Sequence, residues 1–205
     1  MSAARMPKVG MEEERKTSII MGTIKAIHEK GYAATTMADI AKNAGVSTGL
    51  PHHYFGSKAA VFNATMSFLL KDLSKQSRSR LLKAKTPMER IDAIIHTNFS
   101  DEQFQPSVIS AWFAFYVVAR TEPATRRLLQ VYHRRLISNL TAEYHRVTDR
   151  QTAITAAEGT AAMIDGLWLQ CVLTTNRPDG SPATMLVQDY VKKCFDSFET
   201  TDTPQ

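Results

Sequence analysis

Apolar residues recur at helical spacing along this 205-residue chain, and no stretch shows the two-residue alternation of a half-buried strand. Ile20, Ile24 and Ile27 form a stripe that Gly31 ends, which predicts a first helix over about residues 12–30. Met37, Ile40, Ala41 and Ala44 share one face of a short second helix. Before it, Thr36 and Asp39 stand at capping-box spacing, and Gly45 follows where a helix stop needs positive φ. Val46 plugs the turn, Ser47 or Thr48 caps a third helix, and that helix runs to about Tyr54 before Gly56 breaks it. From Ser57 a long helix continues through Val61, Phe62, Met66, Leu69, Leu70 and Leu73 to about residue 84, a mechanical link between the first three helices and the rest of the chain.

Pro87, Pro106, Pro123 and the cluster from Pro178 to Pro182 divide the remainder into helical segments near 88–100, 106–120, 124–147, 150–176 and 182–198. The predicted class is therefore all-α, with a three-helix head in residues 1–56 and a bundle of about six helices in residues 57–205. No internal repeat or low-complexity segment interrupts it. Residues 1–11 and the tail after about Phe198 read as mobile arms. The first arm carries Arg5 and Lys8, either to touch DNA phosphate or the minor groove, or simply as a loose terminus.

The second and third helices have the spacing of a helix-turn-helix. A third helix this short has little core of its own, so its first residues are free to enter a major groove. Ser47, Thr48, Gly49, His52, His53, Tyr54 and then Lys58 are small residues or hydrogen-bond donors, suited to phosphates and base edges. Within this set Thr48, Gly49 and His52 are placed near base edges, and Thr36, His53, Tyr54 and Lys58 at phosphates. Phe55 reads as core. The competing reading is a helix–turn–helix that packs and does nothing else, which is common in all-α proteins.

Charge agrees with a polyanionic partner without establishing one. The net charge is +5 and the pI about 9.2. A run from Lys71 to Lys85 is spread round its helix and reads as a solvated face. No apolar run approaches the length of a membrane span and no basic-then-apolar leader is recognisable, so a cytoplasmic location is expected. Cys171 and Cys194 lack metal-site spacing and read as buried thiols. An enzyme using Cys171 or the pair His52-His53 is disfavoured: no nucleophile–base spacing or phosphate loop is present, and adjacent histidines project about 100° apart on a helix. No cofactor or metal is expected.

The segment from about Glu12 to Lys58, above all GVSTGLPHHYFGSK, resembles the N-terminal domain of the tetracycline-repressor (TetR) family. NFSDEQ near Asn98, AWFAF at Ala111–Phe115, RRLISNL at Arg134–Leu140 and AAMIDGLWL at Ala161–Leu169 resemble one branch, the choline-responsive repressors of glycine-betaine synthesis. The resemblance implies a homodimeric repressor whose head binds a palindromic operator and whose remaining helices bind a small inducer and the partner subunit. One departure stands inside the recognition helix. Relatives usually carry a β-branched or aromatic residue where this chain has Pro51. With Thr48 as N-cap, Pro51 is the third helical residue and displaces no bond; an earlier start would cost one.

Trp112, Phe115 and Tyr116 stand at i, i+3 and i+4, and Asp165 and Trp168 share a face of the eighth helix. If the two faces meet, they make an aromatic box with one carboxylate, chemistry that holds a quaternary ammonium. Aromatic stripes at this spacing are also ordinary core, and a hydrophobic or drug-like ligand would suit the same rings. Asp165, within an apolar run, needs a cation, a donor or water. A ligand could supply the cation, and so could Arg120, Arg134 or Arg135. The small residues Ala153, Ala156, Ala157, Thr160, Ala161 and Ile164 on the eighth helix, and Leu186, Val187, Tyr190, Cys194 and Phe198 on the ninth, suit either a two-fold interface or an intramolecular core. The family resemblance favours the interface.

Overall fold

A computed structural model describes residues 9–175 and 178–201. The fold is all-α, and among the described residues there is no strand. The helices are α1 (Val9–Ala34), α2 (Met37–Ala44), α3 (Leu50–Phe55), α4 (Lys58–Leu81), α5 (Pro87–Asn98), α6 (Pro106–Ala119), α7 (Pro123–Tyr144), α8 (Arg150–Thr174) and α9 (Ser181–Thr201), with a 3-10 turn at Asp101–Phe104. The expected arms are shorter than read from sequence, because α1 already begins at Val9 and α9 continues to Thr201. Arg5 and Lys8 lie outside the described residues.

Contacts divide the chain into two compact units that are not contiguous in sequence. One takes the chain as far as Leu69 together with Pro106–Thr125; the other takes Leu70–Gln105 and everything from Arg126. These packing units differ from the division expected after Gly56 in two respects. The boundary falls inside α4, and α6 packs along α1 as part of the head unit. His28 Nδ1 of α1 lies 3.0 Å from Ser110 Oγ of α6.

The head unit is built on Ile19, Ala26, Met37, Ile40 and Val61, with Val46, Leu50, Tyr54 and Phe55 packed against them. On α1 it is Ile19, Ile24 and Ile27 that are buried, with Ile20 only half-buried. Gly22 sets how closely α1 meets α2: a Cβ there would stand 2.6 Å from Ala44 N and 2.8 Å from Ile40 O. The regular part of α1 ends at Gly31, whose φ of 74° a side chain would disfavour.

The second unit is built on Ile91, Ile95, Leu140, Tyr144, Ile164 and Val187. Arg90 of α5 reaches both Glu143 near the end of α7 (Nε to Oε1 2.5 Å) and the Leu81 carbonyl at the end of α4 (3.2 Å). The Tyr144 hydroxyl meets Thr160 Oγ1 at 2.8 Å, and burial pushes its pKa above the ordinary tyrosine value. The small side of α8, from Ala153 to Ile164, is buried within the single chain. On α9, Val187 and Val191 are buried while Met185 and Leu186 are more than half exposed; Leu186 therefore leaves the expected apolar stripe. Cys171 and Cys194 are half-buried free thiols, less enclosed than expected. No helix among the described residues is long and apolar enough to cross a membrane.

Candidate nucleic-acid interface and effector site

The α2–turn–α3 segment owes its shape to a few short-range contacts. Thr36 Oγ1 accepts from Asp39 N at 3.1 Å while the Asp39 carboxylate takes the Thr36 N–H at 3.0 Å, closing the capping box that the spacing predicts. Lys30 reaches the same carboxylate at 2.6 Å, and this bond together with those from Thr36 holds the Asp39 pKa down to about 2. Gly45, with φ 65° and ψ 32°, ends α2 in the left-handed conformation and turns the chain.

Neither Ser47 nor Thr48 caps α3. Gly49 is the N-cap, with φ −79° and ψ −18° and no side-chain cap bond. Before it the chain makes a turn in which Leu50 N donates to Ser47 O at 3.0 Å. Pro51 is consequently the second helical residue, one earlier than expected with Thr48 as cap, and it still displaces no intrahelical bond. It is buried at the start of a six-residue helix that Gly56 stops at φ 77°.

Six of the eight residues read from sequence as DNA contacts are exposed: Thr36, Ser47, Thr48, Gly49, His52 and His53. Three of the eight, the exposed Thr36 among them, are engaged in holding the head together. Thr36 is committed to the capping box. Tyr54 is half-buried against the head core, with the His53 ring edge-on at 5.1 Å and Lys16 Nζ 6.0 Å from its ring centre. Lys58 turns inward and spends its three N–H bonds on the carbonyls of Tyr32, Ala33 and Thr35 at 3.0–3.1 Å, lying over the Tyr32 ring at 4.6 Å. No donor remains on Lys58 for a phosphate in this arrangement.

The residues expected from sequence to bind an effector are divided between the two units. In the head unit, Trp112 and Phe115 are buried and Tyr116 is half-buried; the Trp112 ring lies 5.8 Å from Phe115, edge-on, and 6.0 Å from Tyr116, stacked. In the second unit, Trp168 is buried and the Asp165 carboxyl is half-buried on the same stretch of α8. Removal from water raises the Asp165 pKa above the ordinary carboxylate value, partly offset by His133. His133 Nδ1 of α7 stands 3.6 Å from Asp165 Oδ2. The flanking Arg134 instead donates from Nε to the Gln130 carbonyl of its own helix at 3.3 Å. Sequence reasoning missed His133 because it considered arginines alone as the internal cation. In the head unit a separate open groove of about 550 Å³ is lined by residues including Met21, Lys25, His28, Asn43 and Ser107, and by none of the expected effector residues.

Comparison with known proteins places these features in context. Residues 19–65 match the model for bacterial regulatory proteins of the tetR family, and residues 87–196 match that for the C-terminal part of BetI-type transcriptional repressors. The HTH-type transcriptional regulator BetI of Brucella anthropi is 45% identical over 186 residues, covering 91% of this chain and 96% of that protein. Among solved structures, a transcriptional regulator from Pseudomonas aeruginosa PAO1 superposes with a TM-score of 0.80 at 21% identity, over 90% of this chain and 92% of that one. A regulator from Saccharomonospora viridis, solved in complex with choline, superposes with a TM-score of 0.74 at 18% identity, over 88% and 96% of the respective chains.

Proposed function

Because the chain belongs to the BetI-type branch of the TetR family and is therefore a DNA-binding transcriptional repressor, we propose that it releases a palindromic operator on binding choline or a closely related quaternary amine. The observation that carries the choice of ligand is Asp165: a carboxylate half-withdrawn from water on an apolar helix, beside buried Trp168, with His133 as its facing neighbour. A permanent cation that makes no hydrogen bonds through its head group is held by ring faces and an opposing charge, at about 0.5–2 kcal/mol per ring. Asp165 and Trp168 on α8, and Trp112, Phe115 and Tyr116 on α6, are the residues proposed to take part in inducer binding. The name of the Brucella relative and the choline bound to the Saccharomonospora protein agree with this reading.

The proposed functional division is by sequence rather than by packing unit: residues 1–56 read DNA, and residues 57–205 bind the inducer and the partner subunit. At the DNA, Ser47, Thr48, Gly49, His52 and His53 form the reading surface; Thr36, Tyr54 and Lys58 hold the helices that present it. Dimerisation runs through α8 and α9, whose exposed Leu169, Leu173, Met185 and Leu186 are the apolar surface left for a second copy to cover. A cytoplasmic location goes with operator binding.

Choline titration of the intact protein tests the ligand, with 3,3-dimethylbutanol, its uncharged isostere, as comparison. Choline binds and the isostere binds at least tenfold more weakly, and Asp165→Lys abolishes choline binding while leaving the fold intact by circular dichroism. Equal affinity for both compounds would favour the hydrophobic-ligand alternative.

A further inference from the structure

His52 is one of two exposed histidines on α3, and one of its ring nitrogens is already spoken for. Nδ1 lies 3.1 Å from the carbonyl oxygen of Gly56, the residue that terminates the helix. The same glycine returns its N–H to the His52 carbonyl at 2.8 Å, so the two residues are tied to each other twice. A carbonyl oxygen only accepts; the nitrogen that faces it must therefore carry the hydrogen. A neutral imidazole has one N–H, and with that hydrogen on Nδ1 the outward Nε2 presents a bare lone pair. His53 has no such tether. Its ring is packed edge-on against Tyr54.

In the major groove the groups that offer hydrogen to an acceptor are the amino groups of adenine and cytosine, while guanine and thymine present acceptors. We infer that His52 is a specificity-determining residue of the repressor: its Nε2 accepts from an exocyclic amino group, so each half-site carries adenine or cytosine where His52 meets the base edges, and guanine or thymine is disfavoured there. This rests on the DNA-reading role of α3 proposed above. It also gives the position a preference opposite to that of an arginine or lysine, whose donors favour guanine.

The test is selection from a pool of randomised duplexes by the full-length protein, at one salt concentration and one pH. Native protein enriches adenine or cytosine at one position per half-site by roughly tenfold over guanine and thymine. His52→Ala flattens that position to within about twofold and leaves the other positions unchanged, and His52→Arg turns it to guanine. Imidazole nitrogen chemical shifts of the unbound protein supply a readout that needs no variant: Nε2 has the shift of an unprotonated nitrogen. Guanine or thymine enriched at the position that His52→Ala flattens, no position altered by that change, or a hydrogen found on Nε2 overturns the assignment. Failure of the native protein to enrich any sequence would instead overturn the DNA-reading role itself.

Discussion

Lys58 Nζ donates to the carbonyl of Thr35 at 3.0 Å, across the turn between α1 and α2, and reaches the carbonyls of Tyr32 and Ala33 as well. A residue with the position and charge of a phosphate clamp is thus the peg that closes the end of α1. Lys58→Met leaves three carbonyls short of a donor and lowers stability by about 1–2 kcal/mol. Operator affinity falls with it, yet the slope of log affinity against log salt stays unchanged. Loss of a true phosphate contact would reduce that slope by about 1.

Gly22→Ala disrupts the head more than its size suggests. The new methyl meets Ala44 Cβ at 2.7 Å as well as the α2 backbone, and two helices must separate to admit it. A cost of about 1–3 kcal/mol follows. Thermal denaturation reads the cost, and operator binding is lost at temperatures where the rest of the chain remains helical.

The Asp39 carboxyl makes the head acid-sensitive over a defined window. Its pKa lies near 2, lowered from 3.8 first by Lys30 and then by the Thr36 hydroxyl and N–H. A group depressed in the folded state binds fewer protons folded than unfolded, so its stabilisation is present above about pH 4 and is lost as pH falls towards 2. In melts followed by circular dichroism between those values, the native protein loses stability more steeply than Asp39→Asn. Parallel slopes would contradict this.

Glu143 is buried between Arg90 at 2.5 Å and Arg146 at 3.1 Å, and it joins α7 to α5. Glu143→Ala strands the Arg90 guanidinium and costs about 2–4 kcal/mol. In a chain of this size that lowers the melting temperature by roughly 5–15 °C. Changing Arg146, whose side chain is half exposed, costs under about 1 kcal/mol.

What the sequence made legible was local. The capping box of Thr36 and Asp39, the left-handed Gly45, and the helix starts at Pro87, Pro106 and Ser181 all arise from interactions within a few residues of the chain. The inward turn of Lys58 depends on carbonyls more than twenty residues away, and no local pattern announces it. Likewise, His133 opposes Asp165 from another helix, and α6 joins α1 although seventy residues separate them. Gly49 takes the capping position rather than Ser47 or Thr48, and the residue types alone do not separate the three.

The most direct test of the repressor's proposed switch is operator binding with and without choline. Binding of the full-length protein to the promoter region beside its own gene is measured by fluorescence anisotropy at one fixed salt concentration, with phosphate contacts thereby held constant. Choline weakens binding by a factor that saturates with concentration, and a hundredfold change corresponds to about 2.7 kcal/mol of preference for the released state. Specific binding that choline leaves unchanged at saturating concentration would contradict the assignment of Asp165 as an inducer-binding residue.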